Sequence, residues 1–254
     1  MKQKFLSAII MLLIAASADA QKPGVYIQDT QGFYWKTDEW TGSGTPNAVA
    51  LVTSKIKILI ALEDASPYEI PWGPSGNVND VATTMNNGSN SNLGEEWGDV
   101  DGAGNTKAMI RQLPCQVPGT ALEIITEWRF PDGTDGYIPA IGEMFQIYKN
   151  IREVNRALSA CGGQTIPYEY YWTSTQHYLP YRIWTIGKPD QRGRIWFANL
   201  RHGKTPVSRY QGGIHNHYTF RLRPCGTMPE VIDMDEEEEK SKDPTLEGEV
   251  AMDY

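Results

Sequence analysis

Cysteine is scarce in this chain: three residues in 254, at Cys115, Cys161 and Cys225. That excludes a small scaffold held together by dense disulfides. The wide spacing also lacks the close Cys or His pairs of a structural zinc site. In an oxidising compartment three cysteines allow one disulfide and one free thiol, or three buried thiols. Long apolar runs are missing too. The longest, Phe5 to Ala16, is shorter than the ~20 residues that a membrane-crossing helix needs. No histidine occurs before His177, and acids nearly vanish between His177 and Arg223, where Asp190 stands alone against nine Arg or Lys residues. No internal repeat is found, which excludes a solenoid or propeller.

The first segment, "MKQKFLSAIIMLLIAASADAQ", has basic Lys2 and Lys4, the apolar run, and small residues at Ala18 and Ala20. This is the pattern of a secretory signal peptide. Residues 1–20 are therefore expected to be removed, with cleavage after Ala20, and the protein to be secreted, periplasmic or held at the cell surface. The far end is different. From Glu230 to Tyr254 there are eleven acids and two lysines, or −9, against −8 for the whole chain. Residues 229–254 have little to bury and are expected to be an acidic disordered tail.

The remainder, 21–228, reads as one domain, with N-terminal strands over 21–60. "GVYIQDTQGFYW" predicts two strands around a turn at Thr30–Gly32. "AVALVT" and "IKILIALED" predict a hairpin closed at Ser54–Lys55. From Pro67 to Gly104 the chain is dense in Gly, Asn, Ser and Pro and reads as a long loop. Helices follow. "NTKAMIRQL" offers Asn105 or Thr106 as its N-cap. "GTALEIITEW" puts Leu122, Ile125 and Trp128 on one face, and a single long helix is expected from Pro139 to a stop at Gly162. Beyond Gly163 the pattern turns to strands: "YYWTSTQ", "YRIWTIG", "GRIWFANL" and "HYTFRLRPC". Strands, helices, then strands predict an α+β domain with helices packed on antiparallel sheets.

The order of "GNTKAMIRQL", "DGYIPAIGEMFQIYKN", "YYWTSTQ" and "YTFRLRPC" resembles the Lcl C-terminal domain family. The matching stretches are Gly102–Thr106, Gly136–Met144, Tyr171–Thr175 and Arg221–Arg223, within a family-like core over 61–225. Gly136 stands where the family usually has Trp, and Ile125 where many members have Cys. The resemblance implies a C-type lectin-like fold and an exported or surface protein that binds rather than catalyses. In such a fold the strands near Val25 and Leu222 are expected side by side in one sheet.

The chemistry-bearing residues divide between two readings. Ser174 with His177 as base would make a nucleophile, but residues three apart on a strand face opposite sides, and no strand–turn–helix elbow surrounds Ser174. The hydroxyls of Thr173 to Thr175 are instead expected to bridge neighbouring loops. "KPDQ" and "WFAN" lack the oxygen ligands that calcium needs. Asp99, Asp101 and Asn105 are a weak calcium candidate, and a turn feeding a helix N-cap accounts for them better. His215 and His217 share a strand face, but surface histidines explain them more simply than zinc does. No metal or cofactor is expected.

Aromatics alternate with cations over Tyr178 to Asn216, so the expected ligand-binding residues are Tyr178, Tyr181, Trp184, Arg192, Arg194, Arg201, Tyr210 and His215. Export argues against a nucleic-acid partner and favours a glycan or protein ligand at the cell surface, as for an adhesin. An assembly subunit of a bacterial surface appendage is the alternative. A hydrolase or a formylglycine-generating type of enzyme is the least favoured reading.

Overall fold

A computed structural model of the chain describes residues 22–73, 83–85, 98–113, 117–178, 194–200 and 219–229. These form ten strands and four helices in an α+β arrangement. Five strands build the main sheet: β1 (Gly24–Asp29), β2 (Tyr34–Lys36), β3 (Pro46–Val52), β4 (Lys57–Ile60) and β10 (Cys225–Thr227). Their order is β10-β4-β3-β1-β2, all antiparallel. The β1–β2 and β3–β4 hairpins lie where the β-branched runs and polar turns predict them. Thr53 closes the second by accepting from the amides of Lys55 and Ile56 with its hydroxyl.

Side chains alternate across this sheet, and both faces are buried. Ile27, Val49, Leu51, Ile58 and Ile60 point to one side, where they meet α3 (Ile141–Lys149) and α4 (Ile151–Ala160) through Ile141, Met144, Ile147, Val154 and Leu158. Tyr26, Ala48, Ala50, Val52 and Leu59 point to the other and are covered by Phe130 and Met228. A second core joins α1 (Gly102–Gln112) and α2 (Ala121–Glu127) to the strands β5 (Ile70–Pro71), β7 (Tyr170–Tyr178), β8 (Arg194–Asn199) and β9 (Thr219–Phe220). Its centre is aromatic: Trp172 lies 4.7 Å from Phe220 and 5.6 Å from Trp72, ring centre to ring centre. Strand β7 runs between the two cores, with Tyr171 in the first and Trp172 in the second.

Five expectations need correction. The long helix is two, α3 and α4. Asn150 breaks it by turning its side-chain amide onto the Gln146 carbonyl, ending α3, while its own carbonyl accepts from Val154 and starts α4. The stop at Gly162 holds, in a left-handed conformation at φ 76°. Helix α1 starts at Gly102 with Asp101 as its cap, so Asn105 and Thr106 lie inside it. The stretch 67–104 is not all loop, since it supplies β5, β6 (Thr83–Met85) and the start of α1. The sheets are not all antiparallel, because β6 pairs with β7 in parallel. Finally, β1 and β10 share a sheet but are not neighbours, as β3 and β4 lie between them. Leu222 is outside that sheet, and its carbonyl accepts from Ala65.

Candidate functional site

The strand "YYWTSTQ" is bulged. Trp172 pairs with Phe197 and Gln176 with Ile195, so Thr173, Ser174 and Thr175 stand opposite the single residue Trp196. The two extra residues free backbone groups from the ladder. Ser174 uses its amide to bond the Pro139 carbonyl at 2.9 Å, just ahead of α3. Simple alternation along the strand is therefore lost, and Tyr171 to Gln176 are all buried. Among the described residues the Ser174 hydroxyl has no hydrogen-bond partner.

Thr175 does the bridging. Its hydroxyl donates to Asp99 Oδ2 at 2.6 Å and accepts from the Ile141 amide at 2.9 Å. Asp99 Oδ2 also accepts from Asn105 Nδ2 at 2.9 Å, while Oδ1 accepts from the Asp101 amide. Asp101 Oδ1 accepts from the Gly104 amide at 2.8 Å, as a helix cap does. Both Asp99 oxygens and Asp101 Oδ1, from the calcium candidate, are thus directed at protein donors. Among the described residues no group of three His, Cys, Asp or Glu side chains is placed to hold a metal.

The N-terminus of α3 is saturated in the same way. Its three leading amides bond three different parts of the fold: Ala140 to Glu143 Oε2 at 2.7 Å, Ile141 to Thr175, and Gly142 to the Asp99 carbonyl at 2.9 Å. This leaves none of these three donors for an anion. Glu143 makes half of a capping box, since Ala140 has no side-chain oxygen to return the bond. Glu143 Oε1 accepts from the Tyr137 hydroxyl at 2.9 Å. Burial is the main cause that pushes the Glu143 carboxyl up to about 8; the bonds from Ala140 and Tyr137 oppose it, and the charges of Asp99 and Asp101 add to it. Burial likewise raises the Tyr137 phenol and the Cys225 thiol well above their ordinary values. Thr106 ties α1 to the same region through both the amide and the carbonyl of Ile138.

A second buried cluster joins the return of the chain to the residues after β4. Arg223 is fully buried. Its Nε lies 2.8 Å from Asp64 Oδ1, off the line of a hydrogen bond, while Nη1 donates to the Ala61 carbonyl and Nη2 to that of Gln164. Arg221 Nη1 donates to Asp64 Oδ2 at 2.9 Å. Burial raises the phenol of the adjacent Tyr171, with the Asp64 charge adding to it. Cys161 and Cys225 are both buried free thiols, and Cys115 lies outside the described residues.

Of the expected ligand-binding residues, Tyr178 ends β7 opposite Met85, and Arg194 opens β8 opposite His177. Tyr181, Trp184, Arg192, Arg201, Tyr210 and His215 lie outside the described residues, as do His202, His217 and the strand read at "YRIWTIG". Sequence reasoning missed Glu143, Tyr137 and Asp64. Glu143 alone carried a local signal, an acid three residues after a helix start. No family model, curated protein or solved structure matches the chain. No helix among the described residues is long and apolar enough to cross a membrane.

Proposed function

We propose that this is an exported, non-catalytic binding protein of C-type lectin-like fold, similar to the Lcl C-terminal domain family, that recognises a glycan or protein ligand. The observation that carries the reading is where the resemblance residues sit. Asn105 and Thr106, Tyr137 to Glu143, Thr175, and Arg221 with Arg223 are tied into two buried polar clusters. Residues used up in this way serve as scaffold. Recognition then falls to the segments that join β7 to β8 and β8 to β9, where the cations and aromatics of 179–218 lie. A rigid scaffold presenting variable loops is a common way to build a binding surface.

The test is a glycan and host-protein binding screen of residues 21–254, with and without calcium. Binding by the monomer is expected. Trp184→Ala or Arg201→Ala should each weaken it by about tenfold while leaving the melting temperature nearly unchanged. No binding in the screen, together with self-assembly at micromolar concentration, would replace this reading with the appendage subunit. A second expected result concerns calcium. Because Asp99 and Asp101 already accept from protein donors, EDTA should change neither binding nor melting temperature. A clear drop in melting temperature on chelation would return Asp99, Asp101 and Asn105 to the role of ligands.

A further inference from the structure

Several parts of the fold close around one carboxylate. Glu143 is buried at the start of α3, and its two hydrogen bonds come from neutral donors, the Ala140 amide and the Tyr137 hydroxyl. The Gly102 Cα presses on it from α1, so closely that an added Cβ would run into Glu143 Oε2. The titratable groups that act on it are Asp99 and Asp101 at the entry to α1, Tyr137 from the segment before α3, and Cys225 from β10. Strand β7 brings the neutral Thr175, which bonds both Asp99 and the first amide of α3. Glu143 thus faces two further carboxylates across a junction that holds the starts of two helices against β7.

We propose that Glu143 is a pH-sensitive lock on this junction: protonated, it holds the starts of α1 and α3 together, and ionised, it repels Asp99 and Asp101 and loosens them. The hydrogen-bond chemistry allows both states. In the neutral acid Oε2 still accepts from Ala140, while the Oε1 hydroxyl donates to the Tyr137 oxygen, so the change costs neither contact. Losing the proton puts a charge in a buried site whose two donors are both neutral.

The direction of the effect follows from proton binding. The folded carboxyl, near 8, holds its proton more tightly than an unfolded one near 4.5. Between those limits the folded state binds more protons, so stability falls as pH rises. The contribution is complete below the unfolded value and gone above the folded one. Ordinary paired carboxylates act in the opposite direction, which makes the sign diagnostic.

Glutamine reproduces the protonated acid, with a carbonyl for Ala140 and a donor for Tyr137, and cannot ionise. Melting temperatures of the full-length protein and of Glu143→Gln should be compared from about pH 5 to about pH 9. The wild type is expected to lose about 10 °C more than the variant across that range. Parallel profiles would overturn the lock. Should Glu143→Gln not fold, the carboxyl-carbon NMR shift of Glu143 in the wild type decides instead. A midpoint above about pH 6.5 supports the proposal, and one below it overturns it.

Discussion

Replacing Arg223 with alanine is expected to cost about 3–5 kcal/mol of folding stability, the range for breaking a buried ion pair from one side. Three losses combine. The carbonyls of Ala61 and Gln164 lose their donors, at 3.1 and 3.2 Å. Asp64, whose side chain is only 2 % exposed, keeps Arg221 as its sole cation among the described residues. A cavity the size of an arginine opens beside Tyr171 and the Asp64 loop. For a domain of this size the melting temperature should fall by about 6–20 °C. Arg223→Lys retains the charge but cannot reach two carbonyls and a carboxylate at once, so an intermediate loss is expected. Asp64→Ala combined with Arg223→Ala should cost clearly less than the sum of the single changes, because each single change leaves a charge unpaired. Thermal and urea unfolding of the four proteins measures this coupling. Additive losses would mean that the 2.8 Å approach contributes nothing.

The parts of this fold that were legible in the sequence are those decided by local pattern. The runs at 48–53 and 56–64 are β-branched and bounded by polar turns, so they could hardly be anything but paired strands. The apolar stripe of 141–158 marks a helical face whether or not the helix is broken, and for that reason it hid the break. Asn150 ends α3 with one hydrogen bond from its side-chain amide, a choice that helix propensity alone does not reveal. The bulge in β7 was equally invisible. It exists because Ser174 finds the Pro139 carbonyl, 35 positions away, in place of a strand partner. Short strands such as β5 and β9 have only two residues each and depend on the aromatic cluster between them.

The polar clusters show the same division. Asp101 was legible only as part of a turn ahead of a cap expected at Asn105 or Thr106, although the cap it makes is local, acting over three residues onto the Gly104 amide. Asp64 and Arg223 are 159 positions apart and neither has a sequence signature, so their pairing depends wholly on how the chain closes. Glu143 is intermediate. Its place in the first turn of a helix is readable, but its burial against Tyr137 and two other carboxylates is set by the packing of α1 on α3.

Gly102→Ala should destabilise the protein by about 3 kcal/mol, although helix propensity alone predicts a gain of about 1 kcal/mol from replacing a helical glycine. The reason is space rather than backbone freedom, since Gly102 is not among the glycines with positive φ. A Cβ there would meet Glu143 Oε2, the Ala140 nitrogen at 2.7 Å and Tyr137 Cε2 at 2.7 Å. The carboxylate is the movable member of this set, yet moving it breaks the bonds to Ala140 and Tyr137 together. The Ala140 nitrogen is backbone at the start of α3, and the two amides after it are also bonded, so it cannot retreat alone. The methyl therefore has to push α1 away from α3, which also strains the bonds of Thr106 to Ile138. Gly98→Ala is the matched control. It lies a few residues earlier with nothing within 4 Å of its added Cβ, and a change within about 0.5 kcal/mol is expected. Urea unfolding of both variants separates close approach from propensity. If Gly102→Ala is as stable as the wild type, the contact between α1 and the Glu143 carboxyl is looser than these distances imply.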